Sequence, residues 1–178
     1  VFSMNWYDNA IMYHIYPLGF CGAPKHNEGG EPVNRLEKVL DWIPHLKEMQ
    51  VDAVYFGPIF ESVEHGYDTT DYRQIDRRLG TNEMFKHICE VLHENGIRVI
   101  LDGVYSHTGS NSLYFNREGA FPSVGAYNSK ESPYYSWYTF YNWPNVYHSW
   151  WDFDTLPTVN KMDPAFVRYI ITDEDSVL

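Results

Sequence analysis

The chain is poor in cysteine, in basic residues and in long apolar runs. Its 2 cysteines, Cys21 and Cys89, stand far apart and outside any Cys-x-x-Cys pair, which predicts free thiols rather than a disulfide framework. Lysine and arginine total 13 against 24 acidic residues, and the formal net charge of −11 argues against binding to nucleic acid or to an anionic membrane surface. No apolar run approaches the roughly 20 residues that span a bilayer, and no secretory leader is recognisable. We therefore expect neither a nucleic acid nor a membrane as partner.

Sequence motifs for common cofactors and metals are missing as well. No glycine-rich phosphate-binding motif follows a predicted strand, so a nucleotide site has no support. The 8 histidines lack metal-ligand spacing, and Asp152, Asp154 and Asp163 do not follow the spacing of an EF-hand. We therefore expect no cofactor and no zinc site.

Aromatic residues are abundant instead. They make up 17% of the chain, with 15 tyrosines, 10 phenylalanines and 6 tryptophans, and nearly half of them lie between Tyr114 and Phe153. Residues 109–160 show no helical or strand period, and a long irregular insertion of this kind is usually functional when it is ordered. Most of these rings are also expected to form the core of a loop-rich subdomain.

Three short apolar runs predict buried strands at residues 10–16, 53–56 and 99–101. They are apolar on both faces, which is typical of parallel strands covered by helices. Residues 61–80 are predicted to be a polar loop. The alternation of strand and helix fits either a doubly wound sheet or a (β/α)8 barrel.

Apolar residues at three- and four-residue steps predict the helices. The first is expected to begin at Asn34 and to kink or restart at Pro44. The second is expected to begin at Thr81 or Asn82 and to stop at an Asn-Gly pair. A third is expected to open with Asp163 as its N-cap.

Candidate binding residues follow two of the predicted strands. Ligands of parallel α/β folds meet the loops at the carboxyl ends of the strands, where this sequence has Tyr67, Asp68, Asp102 and His107. An aromatic ring packs on the C–H face of a sugar while carboxylates and imidazole bind its hydroxyls, so this set suits a polyhydroxylated ligand. Each of these residues can instead have a purely structural role. Asp102 can cap the end of a strand, His107 can form hydrogen bonds within a loop, and Tyr67 can pack in a core.

The sequence resembles the alpha-amylase family of glycoside hydrolases. Residues 102–107, DGVYSH, resemble the family's first signature, which has an Asp and a His five positions apart. Residues 65–72, HGYDTTDY, resemble its loop after strand two, and residues 156–160, LPTVN, resemble a short signature near the end of its B domain. Residues 41–46 and 75–83 are similar to the neopullulanase and cyclomaltodextrinase branch.

The resemblance implies a (β/α)8 TIM barrel, of which this chain holds the first three strands with a protruding B domain after strand three. It implies a division into the N-terminal part of the barrel at residues 1–108, an aromatic-rich B domain at residues 109–160, and a return to the barrel with a truncated third helix at residues 161–178. The remainder of the barrel is then the partner that completes the fold.

The resemblance further implies a retaining glycoside hydrolase that acts on alpha-glucosidic bonds of starch-, maltooligosaccharide- or cyclodextrin-like substrates. By analogy, Tyr67 stacks on the sugar before the cut bond, His107 binds a hydroxyl of that sugar, and Asp68 is a further polar contact. Asp102 supports the site by orienting a downstream arginine. Retaining enzymes of this type need two carboxylates roughly 5–5.5 Å apart. In the family these follow strands four and five, so we expect them beyond residue 178 and expect these residues alone to be inactive.

Ser106 departs from the family pattern, because many members have at that position an Asn that binds a structural calcium ion. No cofactor is implied, and the calcium site stays open. Two other functions remain on the same fold: a non-catalytic carbohydrate-binding relative, and a transglycosylase or isomerase. The branch that the chain resembles favours a cytoplasmic location, with an extracellular one as the alternative.

Overall fold

The computed structural model describes residues 4–178, which form two compact units. One unit, named the sheet unit, comprises residues up to 25, 29–59 and 75–102. The other, named the aromatic unit, comprises residues 26–28, 60–74 and 103–178. Residues 161–178 thus group with the aromatic insertion, and the three-part domain division stays a prediction. None of the helices within residues 4–178 has the length and apolar character to cross a membrane.

The regular elements are short. The strands are β1 (Met12–Ile15), β2 (Ala53–Phe56), β3 (Phe60–Ser62), β4 (Thr69–Ile75), β5 (Arg98–Leu101), β6 (Phe140–Asn142) and β7 (Val146–Tyr147). The helices are α1 (Pro17–Phe20), α2 (Lys38–Glu48), α3 (Asn82–Glu94) and α4 (Pro164–Val167).

The sheet unit is built on a three-stranded parallel sheet in the order β1, β2, β5. Ala53 at the start of β2 lies opposite Met12 on one side and Arg98 on the other. Three predicted strands are therefore found, and their parallel pairing confirms the predicted arrangement. The middle strand β2 is almost entirely buried, whereas β1 and β5 are partly exposed.

Two long helices accompany this sheet. A 3-10 turn begins after Asn34 and leads into α2, which includes Pro44 and does not restart there. The second, α3, begins as predicted, because the Thr81 hydroxyl accepts a hydrogen bond of 3.1 Å from the Met84 amide. Gly96 follows its end at a φ of 74°, in the left-handed region that glycine adopts without steric cost.

The core of the sheet unit is mainly aliphatic. Its fully buried side chains include Leu36, Val39, Leu46, Val54, Ile59, Leu79, Ile88 and Leu92. Cys21 and Cys89 are free thiols, and burial raises the pKa of each to about 11.

The aromatic unit contains β3 and all of β4 except Ile75, and these two strands pair in a two-stranded sheet. The prediction of a polar loop over residues 61–80 is therefore wrong in part. Thr69, Thr70, Tyr72 and Ile75 in β4 are buried, while Arg73 between them is exposed. The mixture of polar and apolar residues concealed a strand whose β-branched and aromatic side chains face a core.

Residues 109–160 are mostly irregular, as predicted, apart from an antiparallel hairpin of β6 and β7 and two 3-10 turns, Tyr135–Trp137 and Trp150–Asp152. The chain then enters α4. Asp163 caps it as predicted, since its carboxylate accepts a hydrogen bond of 3.0 Å from the Phe166 amide.

Stacked aromatic rings form the core of this unit. The Tyr114 ring lies 4.8 Å from the Trp137 ring at an interplanar angle of 25° and 5.5 Å from the Tyr72 ring at 29°. Phe115 and Phe166 are buried among the same side chains. Most of the aromatic excess in the sequence is thus explained by a core without long helices or strands.

The tyrosine hydroxyls in this core bind loop atoms. The Tyr72 hydroxyl donates to the Val104 carbonyl at 2.6 Å, and the Tyr114 hydroxyl accepts from the Tyr72 amide at 3.0 Å. The Tyr138 and Thr108 hydroxyls are 2.8 Å apart. Burial of polar groups is costly unless they are paired, so these rings also satisfy the hydrogen bonds of an irregular backbone.

Candidate functional site

One cavity of about 660 Å³ in the aromatic unit contains three of the predicted binding residues. Its lining residues are Val63, Glu64, His65, Tyr67, Asp68, His107, Ser110, Asn111, Glu118, Trp150, Phe153, Thr155 and Leu156. The structure therefore brings Tyr67, Asp68 and His107 together. Asp102 belongs to the sheet unit.

Two sequence signatures lie side by side around this cavity. His107 forms a β-bridge with Thr158, and the Val159 amide donates to the Ser106 carbonyl at 3.0 Å. The Thr108 amide donates to the Pro157 carbonyl at 3.1 Å. These backbone bonds, which join residues 53 and 49 positions apart, fix His107 in the cavity wall.

The Asp68 carboxylate organises the turn before Tyr67. It accepts hydrogen bonds from the amides of Val63 at 3.2 Å, Glu64 at 2.9 Å and Gly66 at 3.2 Å. The His65 imidazole lies 3.5 Å from the same carboxylate. A carboxylate offers about four acceptor positions, so Asp68 keeps little capacity for a ligand beyond its role in shaping the turn.

Tyr67 stands on this turn with 43% of its surface exposed. Its amide donates to the Nδ1 atom of His65 at 3.1 Å, and its carbonyl accepts from His107. The backbone on both sides of the ring is thus held, while the ring itself remains accessible. This is the arrangement expected of a stacking platform.

His107 is buried, with 5% of its surface exposed, and both of its ring nitrogens have protein partners. The Nε2 atom lies 2.8 Å from the Tyr67 carbonyl, and the Nδ1 atom lies 2.8 Å from the Ser106 hydroxyl. A carbonyl only accepts, so Nε2 carries the proton and the Ser106 hydroxyl donates to Nδ1. Burial lowers the pKa of His107, although the bond to the Tyr67 carbonyl opposes that change.

The aromatic wall of the cavity was not among the residues predicted from the sequence. The Trp150 ring lies 5.4 Å from the His107 ring and is nearly parallel to the Phe153 ring, at 6.3 Å and 23°. The signal for these residues was present as the pair Trp150-Trp151 in a stretch rich in aromatics. That signal does not distinguish a ring in a cavity from a ring in a core.

Glu118, which lines the cavity, and the predicted site residue Asp102 are both engaged in protein contacts. Glu118 accepts from the Ser110 hydroxyl at 2.7 Å and from the Arg117 Nε atom at 3.0 Å. Asp102 is half-buried at the carboxyl end of β5, and its amide donates to the Phe56 carbonyl at 3.0 Å. Its supporting role stays a prediction. Within residues 4–178, no three His, Cys, Asp or Glu side chains are grouped so that they could hold a metal ion.

The cavity combines aromatic rings with hydrogen-bonding groups. Three aromatic rings, two imidazoles, three carboxylates and the polar side chains of Ser110, Asn111 and Thr155 line it. Such a combination binds the alternating C–H faces and hydroxyls of a carbohydrate. The parallel β-α-β-α-β order of the sheet unit places the chain in the class of α/β proteins built on a parallel sheet.

A comparison with protein families agrees with this class. The sequence model described as "Alpha amylase, catalytic domain" matches residues 14–170, most of the chain. The chain therefore belongs to the alpha-amylase catalytic-domain family, and the predicted TIM-barrel fold class is confirmed.

Individual relatives fall in the predicted branch. An amylopullulanase of Thermoanaerobacterium saccharolyticum is 38% identical over 226 residues, covering 97% of this chain and 18% of that protein. A cyclomaltodextrinase of Thermoanaerobacter pseudethanolicus is 33% identical over 157 residues, covering 80% of this chain and 26% of that protein. The resemblance to the neopullulanase and cyclomaltodextrinase branch is thus confirmed.

Solved structures of similar fold include proteins of the same branch. The cyclic alpha-maltosyl-(1→6)-maltose hydrolase from Arthrobacter globiformis matches with a TM-score of 0.74 and 27% identity, covering 93% of this chain and 40% of that one. A cyclomaltodextrinase structure matches with a TM-score of 0.72 and 28% identity, covering 92% of this chain and 31% of that one. The chain thus spans less than half the length of each of these relatives.

Proposed function

We propose that this chain supplies one wall of the substrate cleft in a retaining glycoside hydrolase that cleaves alpha-glucosidic bonds of starch-, maltooligosaccharide- or cyclodextrin-like substrates. The observation that carries the proposal is the cavity in which Tyr67, Asp68 and His107 meet. The relatives named amylopullulanase and cyclomaltodextrinase support the substrate class.

In this proposal Tyr67 is the platform for the sugar that precedes the cut bond. Its ring is accessible and its backbone is held on both sides. The Nε2–H group of His107 donates a hydrogen bond to the Tyr67 carbonyl in the structure. A sugar hydroxyl therefore binds His107 by competing for that proton or sharing it, and Asp68 contributes mainly by shaping the turn.

The cavity carboxylates are poor candidates for the catalytic pair. Asp68 is committed to three backbone amides, and Glu118 is bound to Ser110 and Arg117. Glu64 lies 3.6 Å from the Nδ1 atom of His26. We therefore place the nucleophile and the acid/base outside residues 1–178, and we propose that these residues alone are inactive.

Substitution of the two ring residues in the full-length protein tests the proposal. Tyr67→Ala and His107→Ala are each expected to lower kcat/KM for maltooligosaccharides by about 1–4 kcal/mol of transition-state binding. Tyr141→Ala is the matched control, because Tyr141 is 67% exposed in the same unit and does not line the cavity. If kcat/KM is unchanged in both Tyr67→Ala and His107→Ala, the cavity is not part of the active site.

A product analysis separates the alternative functions. Hydrolysis, transglycosylation and isomerisation give different products from one maltooligosaccharide. Binding without any product would instead indicate a non-catalytic carbohydrate-binding protein. Turnover by the 178-residue chain alone would contradict its proposed inactivity.

We also propose that further barrel strands complete the sheet. Within the described residues, β1 and β5 each pair on one side only, and Met12 and Leu101 are 48% and 37% exposed. Unpaired strand edges promote association with other chains. The 178-residue chain alone is therefore expected to self-associate or unfold readily, and a monomer with a sharp cooperative melting transition would contradict this.

A further inference from the structure

The turn that carries Trp150 and Phe153 has an unusual backbone. Trp151 has φ 52° and ψ 33°, and Asp152 has φ 62°, so two consecutive residues other than glycine adopt the left-handed region. That conformation is unfavourable for a bulky side chain such as that of Trp151, and strained residues of this kind cluster at functional sites. Trp151 is also 79% exposed, so burial of its ring does not offset the strain.

Contacts on both sides of the turn enforce this conformation. The Trp150 amide donates to the Leu156 carbonyl at 2.9 Å, and the Leu156 amide donates to the Phe153 carbonyl at 2.9 Å. The Asp154 carbonyl accepts from Arg117 at 3.1 Å. Hydrogen bonds therefore hold the backbone of the turn on both sides without a ligand.

The result is a row of three accessible aromatic rings. Trp150 and Phe153 are 42% and 57% exposed, are nearly parallel, and line the cavity. Trp151 is adjacent, with its ring 5.8 Å from that of Trp150, but it is not one of the cavity-lining residues. The aromatic surface thus begins in the cavity and continues outside it.

We propose that Trp150, Trp151 and Phe153 form an aromatic platform for an alpha-linked glucan, with Trp151 holding a glucose unit outside the cavity. This inference rests on the proposed function and extends it, because it assigns a preference for longer chains to a named residue. Continuity with the cavity favours a glucan over a protein partner. Exposed rings offer flat faces for successive sugar units, and their rigidity limits the entropy lost on binding.

Trp151→Gly is the sharpest variant, because glycine accepts the left-handed backbone and keeps the turn. In the full-length protein we expect kcat/KM for maltoheptaose to fall by about three- to tenfold, the range typical of one aromatic contact. The value for maltotriose is expected to change less than about twofold, and the melting temperature to stay equal or rise. Trp151→Phe keeps a ring and is expected to restore most of the maltoheptaose efficiency.

Tyr141→Ala is the control, since it removes an exposed ring of the same unit outside the cavity. An unchanged ratio of the two kcat/KM values in Trp151→Gly would overturn the inference. If the wild-type protein turns over no maltooligosaccharide, the proposed function fails, and calorimetric binding of maltoheptaose then decides the inference separately. Weaker binding by Trp151→Gly than by wild type supports the platform, and equal or absent binding by both rejects it.

Discussion

The two units of this chain form their hydrophobic cores from different kinds of side chain. The sheet unit buries aliphatic side chains between parallel strands and two helices of more than ten residues. The aromatic unit has no helix of that length within the described residues and buries stacked tyrosine, phenylalanine and tryptophan rings. Large rings bury more apolar area per residue than aliphatic side chains do. An irregular segment can therefore build a core from fewer residues.

The units also differ in how they satisfy buried polar groups. In the sheet unit, Asp76 and Arg78 form a buried ion pair, and the Arg78 guanidinium also donates to the carbonyls of Pro24 and Lys25 at 2.9 and 3.1 Å. In the aromatic unit, hydroxyls such as that of Tyr72 perform this task. In the sheet unit, one charged side chain, Arg78, thus binds several backbone carbonyls of neighbouring loops. In the aromatic unit, several tyrosine hydroxyls bind backbone groups at different places in the core.

The largest expected effect comes from removing one side chain from each core of the full-length protein. Trp137→Ala is expected to reduce the opening free energy of the aromatic unit by about 3–5 kcal/mol, and Leu92→Ala that of the sheet unit by about 2–5 kcal/mol. Hydrogen exchange measures both, at the amides of Asn160 and of Asp102, which bond within their own units. A loss of protection shared equally by both amides in either variant would contradict separate cores.

A second substitution compares the polar centres. Arg78→Met leaves the Asp76 carboxylate buried with 1% of its side chain exposed and without its guanidinium, which typically costs about 3–5 kcal/mol. Thermal unfolding and exchange in the sheet unit measure the loss. The double variant with Asp76→Leu is the control, because replacing both charges usually costs less than removing one. A single variant as stable as the wild type would show that the pair does not organise these loops.

The smallest expected effect is a pH dependence confined to the aromatic unit. Burial lowers the pKa of His107 from its ordinary value of 6.5, so the folded unit favours the neutral ring. The contribution of neutral His107 to the stability of the folded unit is fully present above the pKa of this histidine in the unfolded chain. It is lost as the pH falls through the lower pKa that His107 has in the folded unit. His65, Asp68 and Lys161 are the neighbouring charged or titratable groups.

Nuclear magnetic resonance titration of the His107 imidazole tests this pH dependence. The pKa is expected below 6.5 in the wild type and higher in Ser106→Ala, because the Ser106 hydroxyl donates to the neutral ring. Ser106→Thr keeps the hydroxyl and is expected to behave like the wild type. A wild-type pKa at or above 6.5 would contradict this account.

The sequence predicted the sheet unit well because its signals are local. The start of α3 at the Thr81 cap and the glycine at position 96 after its end both follow from short-range backbone chemistry. Strand β4 was missed because Asp71 and Arg73 interrupt its apolar residues and suggest a loop. The burial of Thr69 and Tyr72 depends on side chains more than 30 residues further along the chain, such as Tyr114.

In the candidate site, too, residues in short local motifs were predicted and residues positioned by distant contacts were not. Tyr67, Asp68 and His107 were predicted from their positions after strands and from short motifs, and the structure places all three in one cavity. Trp150 and Phe153 were not predicted, since their entry into that cavity depends on hydrogen bonds between distant loops. The contact of Asp68 with a ligand stays a prediction, and the structure adds that three backbone amides already bind its carboxylate.

The discontinuous division of the chain has a consequence for synthesis on the ribosome. All residues of the sheet unit have been made by residue 102, whereas the core of the aromatic unit requires Phe166 and Ile170. At about 5–20 residues per second, the interval between residues 102 and 170 lasts roughly 3–14 s. The rings that contact Tyr72, those of Phe60, Tyr105 and Tyr114, have all been made by residue 114. Trp137 and Phe166 of the same core follow later, so the core of the sheet unit can form before that of the aromatic unit is complete.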